Sequence, residues 1–265
     1  MLLQVGLARQ VVEHGDGGDA EAAVDLTATI FGGSTACKSF ANTIPSTVTG
    51  NSSTSGGAGI SASLIGTRAV RAVVHGWAGF HQALVRHLLG IRTEVRGELP
   101  PGPLLIAVKH ESMFETIEML RVAPTPAVVL KRELAYMPLF GWLTRRYGVI
   151  PVDREAGARA LREMLARGRE AIAQGRPIVI FPEGTRVPHG QAPALRAGFA
   201  GLYRTLGLPV VPVALDSGRL WTRGLLKRSG TIRIQIGETI PPGLKRDAIE
   251  ARVHAGINAL NSSAA

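Results

Sequence analysis

The chain has 265 residues, 45% of them hydrophobic, enough to bury the core of one large domain or two small ones. Its formal charge of +10 is uneven, because residues 1–60 hold two Lys/Arg against five Asp/Glu and the remainder holds 28 against 15. The basic remainder favours anionic partners, whether nucleic acid, lipid headgroups, or phosphorylated carriers and substrates. A lone Cys37 excludes an intramolecular disulfide framework and a multi-cysteine metal site, and it fits a reducing compartment. No run of eighteen uncharged apolar residues marks a transmembrane helix, and the start is a poor signal peptide because Arg9 follows its apolar stretch.

Residues 1–60, rich in Gly, Ser, Thr and Ala, offer few large apolar groups and are expected to be disordered; the alternative is that the true start codon lies downstream. Residues 61–95 are expected to carry an amphipathic helix. At 100° per residue, Val73, Trp77, Phe80, Leu84, Leu88 and Ile91 share one face, with Arg68, Arg71, His75, Gln82 and Arg86 opposite. Such a face either docks on the protein's own core or lies in a lipid headgroup region, and one helix can do both.

Beyond a Pro/Gly-containing linker, residues 96–265 alternate short apolar runs with helical stretches. Residues 104–108, 127–130, 149–152, 177–181, 209–215 and 231–237 read as strands, and 112–121, 156–174, 194–206 and 246–260 as helices. This alternation predicts an α/β fold: a mixed, largely parallel sheet flanked by helices, with ligands at strand ends.

Two stretches carry chemistry at such ends. KHESMFETIE (109–118) follows the run LLIAV, and a His110 held in the strand-to-helix turn can meet Glu115 in the first helical turn. A carboxylate so placed fixes the imidazole tautomer and stabilises the imidazolium when the other nitrogen takes a proton. Ser112 and Glu115 also spell a capping box, in which Glu115 satisfies a backbone N–H. HESMF lacks the second His of a zinc-protease motif, and no G-x-S-x-G elbow surrounds Ser112. In IVIFPEGTR (178–186), Gly184 allows close backbone approach, Thr185 offers a hydroxyl and Arg186 supplies a planar fork suited to phosphate.

Together with LKRELAYMPLFGWLTRRYGVIPVDR (130–154) and LPVVPVALDSG (208–218), these stretches form an ordered series that resembles the 1-acyl-sn-glycerol-3-phosphate acyltransferase family, over roughly residues 90–245. The resemblance implies a glycerol-3-phosphate acyltransferase-like fold. It makes His110 the base that deprotonates an acceptor hydroxyl and Glu115 the residue that orients it. Glu183, Gly184, Thr185 and Arg186 then resemble the acceptor-binding loop, with Lys131 and Arg132 in a segment associated with phosphate contact. No metal and no cofactor is implied beyond the co-substrate, acyl-CoA or acyl-carrier protein.

The implied acceptor is a lysophospholipid, at the sn-2 hydroxyl of 1-acyl-sn-glycerol 3-phosphate, with another lysolipid, such as an amino-acid-containing one, or glycerol 3-phosphate as alternatives. The implied location is peripheral, on an anionic membrane surface at the cytoplasmic face of the cell membrane. A non-catalytic lipid-surface binder is the competing class. A nucleic-acid partner is not expected, since zinc-finger spacing and RNP-like aromatics are absent. Two departures stand out: Glu115 is longer than the commoner Asp, and Glu111 occupies a position often neutral in similar sequences, from where it is expected to raise the basicity of His110.

Overall fold

The computed structural model describes residues 66–137, 140–153, 156–224 and 226–261. The expected disorder of residues 1–60 lies outside them. Within them the order is α1 (Thr67–Leu88), β1 (Ile91–Arg96), β2 (Leu105–Val108), α2 (Phe114–Val122), β3 (Ala127–Lys131), α3 (Arg132–Ala135), α4 (Phe140–Tyr147), β4 (Ile150–Val152), α5 (Gly157–Ala173), β5 (Ile178–Ile180), α6 (Ala197–Leu206), β6 (Val210–Leu215), a 3-10 turn (Ser217–Arg219), β7 (Gly230–Ile236) and α7 (Arg246–Ile257).

The strands form one sheet in the order β1-β7-β6-β2-β5-β3-β4. From β6 to β4 neighbours run parallel, while β7 pairs antiparallel with β6 and carries β1 parallel to itself. The expected mixed, largely parallel sheet is therefore present. Its central strands read as unbroken apolar runs because both faces are covered: every residue of β2 and β6 is buried. Alternation along β2 divides the core. Leu105 and Ala107 pack with residues of α5, α6 and α7, and Ile106 and Val108 with residues of α1 and α2 on the other face. Close approach on the first face needs Gly256 of α7, where a Cβ would come within 2.6 Å of Pro212.

Several features depart from the sequence reading, among them α3 and α4, which were not expected as helices. β1 was expected as helix end and linker; it is a polar edge strand with only Ile91 buried, so it has no alternating pattern to read and owes its form to the ladder with β7. Gly90, with φ of 65°, separates it from α1 and supplies the left-handed turn that ends a helix. In α1 the docked stripe is Val70, Val74, Ala78, His81 and Val85. Val73, Phe80 and Leu88 of the expected apolar face are 61%, 55% and 74% exposed, and Ile91 belongs to β1. Trp221, after the 3-10 turn, is buried and stands against Phe114 and His81.

Candidate active site

Because β2, β5 and β6 are adjacent and parallel, the residues that follow them converge at one end of the sheet. These are Lys109 to Ser112, Phe181 to Arg186, and Asp216 to Gly218. Ligands of open α/β sheets bind at such carboxyl ends.

His110 Nδ1 lies 2.9 Å from Glu115 Oε1, so the turn brings together two residues that a continuous helix would splay apart. The imidazole stacks on Phe181, ring centroids 4.2 Å apart, which fixes its plane. Its side chain is 12% exposed while that of Glu115 is fully buried. Glu115 also serves the helix start: Oε1 accepts the backbone N–H groups of Glu111 and Ser112, both at 2.6 Å. Oε2 accepts the hydroxyls of Ser112 at 2.7 Å and Ser217 at 2.8 Å. The cap and the dyad are thus the same carboxylate. Burial alone would raise the Glu115 carboxyl, but the hydrogen bond and charge of His110 and the Ser112 donors outweigh it and hold the group below the ordinary carboxylate range. An anionic Glu115 accepting from Nδ1–H leaves Nε2 as the nitrogen able to take a proton.

The FPEGTR loop meets this turn from β5. Glu183 was expected to touch a ligand, and its burial does not fit that role. Its side chain and that of Lys109 are both 0% exposed. Oε1 accepts from Lys109 Nζ at 2.7 Å, and Oε2 accepts the backbone N–H of His110 at 2.9 Å. Glu183 therefore braces the His110 turn from beneath. Lys109 Nζ donates further to the Gln191 carbonyl and to Asn258 Oδ1 of the turn after α7, at 2.6 and 2.7 Å. Three acceptors compensate its desolvation.

Gly184 adopts φ of 73°, and a Cβ there would stand 2.8 Å from the Arg196 side chain, so both conformation and space select glycine. Thr185 is exposed and Arg186 half-buried, the latter's carbonyl accepting from Arg223 Nη2 at 2.8 Å. Lys131 and Arg132 lie at the carboxyl end of β3, beside β5, and their side chains pair locally. Lys131 stands 3.8 Å from Glu133 and Arg132 3.3 Å from Asp153. The structure brings them to the same end of the sheet as His110 without a contact to it.

Glu111 does not reach His110, so the expected effect on its basicity lacks a contact. Its carboxylate turns away, pairing with His189 Nδ1 at 2.9 Å and accepting the Gly218 N–H at 2.7 Å. Sequence reading also missed Ser217, Lys109 and Asn258. Ser217 and Asn258 stand far along the chain from His110, and only the strand order joins them to it.

The acyltransferase family model matches residues 91–216, a stretch that contains the His110–Glu115 turn and the FPEGTR loop. A 1-acyl-sn-glycerol-3-phosphate acyltransferase of Pseudomonas aeruginosa is 40% identical over 170 residues, aligning 63% of this chain and 66% of that protein. A 1-acyl-sn-glycerol-3-phosphate acyltransferase alpha of Ovis aries is 30% identical over 174 residues, aligning 63% and 61%. The match thus spans slightly under two thirds of either relative. The crystal structure of the 1-acyl-sn-glycerophosphate (LPA) acyltransferase PlsC from Thermotoga maritima shares the fold, with a TM-score of 0.61 at 20% identity over 74% of this chain and 79% of that one.

Proposed function

We propose that this chain, whose residues 91–216 match the acyltransferase family model, is an acyltransferase of that family that transfers a fatty acyl group to the sn-2 hydroxyl of 1-acyl-sn-glycerol 3-phosphate, giving phosphatidic acid. The observation that carries the reading is the 2.9 Å pair of His110 and a buried Glu115, set beside the FPEGTR loop. The names of the relatives supply the acceptor class.

In this mechanism His110 Nε2 takes the proton of the acceptor hydroxyl while Nδ1–H stays on Glu115. The acceptor oxygen forms its bond to the acyl carbon, the carbon–sulfur bond of the donor thioester breaks, and the departing thiolate receives the proton from the imidazolium. No covalent acyl-enzyme is needed. Arg186, with Gly184 and Thr185 shaping its loop, binds the acceptor phosphate, and Lys131 and Arg132 extend the cationic edge at the end of the neighbouring strand β3. The donor is acyl-CoA or acyl-carrier protein, both anionic and suited to the basic chain.

We place the enzyme peripherally at an anionic bilayer, on the cytoplasmic face of the cell membrane. No helix among the described residues is long and apolar enough to cross a membrane. The support is α1, which exposes Val73 and Phe80 beside its docked face and Leu88 at its end.

The test is acyl transfer by purified protein with each donor against lysophosphatidic acid, other lysolipids and glycerol 3-phosphate. Lysophosphatidic acid is expected to be turned over fastest, and His110→Ala to lose on the order of 10²-fold or more in kcat. A different best acceptor moves the substrate assignment. An inactive wild type favours a lipid-surface binder, and a fully active His110→Ala removes the mechanism.

A further inference from the structure

Three consecutive residues after β2 each hold the loop that follows β5. Lys109 Nζ grips both ends of it, through Glu183 and the Gln191 carbonyl. The His110 carbonyl accepts the Val187 N–H at 2.7 Å. Glu111 holds His189 at 2.9 Å with one oxygen and the Gly218 N–H at 2.7 Å with the other. The first two tethers are a fully buried charge and a main-chain bond. The third is a side-chain pair, with Glu111 0% and His189 19% exposed.

Acyl transfer as described uses neither Glu111 nor His189. A carboxylate withdrawn from water is costly unless donors replace its hydration. Burial pushes the Glu111 carboxyl up, and the Gly218 N–H and His189 draw it back only in part. The carboxylate thus sits where three chain segments meet: its own turn, the loop at His189 and the end of β6 at Gly218.

We propose that Glu111 and His189 are a positioning pair that clamps the 182–191 loop to the His110 turn and to the end of β6, keeping the loop's acceptor contact in register with the imidazole. The proposal rests on the acyl-transfer reading for its kinetic consequence, though the clamp itself does not. A loop that fluctuates samples the aligned geometry less often, so acceptor binding weakens before the chemistry at His110 changes.

The experiment combines steady-state kinetics with amide hydrogen exchange on the full chain, for His189→Ala, Glu111→Ala and Glu111→Gln. In Glu111→Gln the amide oxygen accepts the Gly218 N–H, and the amide NH2 donates to His189 Nδ1 in its other tautomer. Both tethers then survive without charge. His189→Ala is expected to raise KM for the lysophospholipid about five- to tenfold, the effect of one lost tether, and Glu111→Ala, which loses both, at least as much, with kcat and the donor KM within about twofold in each. Exchange of the Val187 amide rises in the same variants, and Glu111→Gln restores both readouts.

Unchanged exchange in His189→Ala overturns the clamp whatever the substrate. A fall in kcat at constant KM that Glu111→Gln fails to rescue also overturns it, because His189 would then act in the chemistry. Faster exchange with a wild type inactive on every lysophospholipid supports the clamp and removes the functional reading instead. If Glu111→Ala fails to fold, His189→Ala and Glu111→Gln decide the question.

Discussion

Ser217, the first residue of the turn after β6, donates its hydroxyl at 2.8 Å to the same Glu115 carboxylate whose other oxygen holds His110. The carboxylate is thereby fixed from two directions, by its own helix start and by a strand that arrives a hundred residues later. Glu115→Gln is expected to keep the fold, since the amide NH2 can face the Ser112 and Ser217 hydroxyls while the amide oxygen stays beside His110. It lacks the negative charge that stabilises the imidazolium, so kcat should fall on the order of 10²-fold. Ser217→Ala leaves the charge in place. It should cost about 1.5–3 kcal/mol of stability, as for a hydrogen bond to a charged group, and lower kcat less than Glu115→Gln does. Acyl-transfer kinetics and urea unfolding check both, and a Glu115→Gln enzyme with full activity would refute the dyad.

The pair beneath the site makes a separate prediction about stability. Lys109 and Glu183 are both fully buried, so removing one leaves an uncompensated charge in the core. Lys109→Met should destabilise the protein by about 3–5 kcal/mol, measured by urea denaturation. Lys109→Met with Glu183→Gln should recover much of that loss, since the buried charge goes with its partner. A double variant no better than the single one would show that the charge itself is not what matters.

His81 sets an acid limit. It is 4% exposed, and neither ring nitrogen meets a hydrogen-bond partner among the described residues. Its neighbours are Trp77 and Trp221, with ring centroids 6.0 and 5.9 Å away. Burial lowers its pKa from 6.5 to about 4. Below pH 6.5 the unfolded chain therefore takes up a proton that the folded chain refuses. The contribution is intact above about pH 6.5 and lost progressively as pH falls towards 4, roughly 3 kcal/mol in all. His81→Leu should flatten this part of the stability–pH curve, and an unaltered slope would assign the acid sensitivity to other groups.

The exposed apolar residues of α1 carry the membrane prediction. Phe80→Ser with Leu88→Ser should weaken cosedimentation with anionic vesicles several-fold. The melting temperature should hold, because both side chains are more than half exposed. Reversing the exposed Arg68 and Arg86 should weaken binding further at low salt than at high salt. Vesicle binding indifferent to all four changes would exclude α1 as the attachment surface.

The central strands and the helices α2, α5, α6 and α7 were legible in the sequence because buried parallel strands are unbroken apolar runs and such helices keep a 3.6-residue period, whereas the short α3 and α4 were not. The His110–Glu115 pair was legible for a related reason: five residues of chain, one strand end and one helix start confine both groups to a small volume. Tertiary structure decided what local pattern leaves open. It turned the docked face of α1 towards Val70, Val74 and Val85, because a helix with apolar residues around more than half its circumference has two candidate faces. It made a strand of IRTEVR, where β7 supplies the hydrogen bonds. It moved Glu183 from the ligand side of its loop to the buried underside and turned Glu111 from His110 to His189. A side chain's role there follows from the partner brought up by another strand, and the order of strands in a sheet is not written in any one segment of the chain.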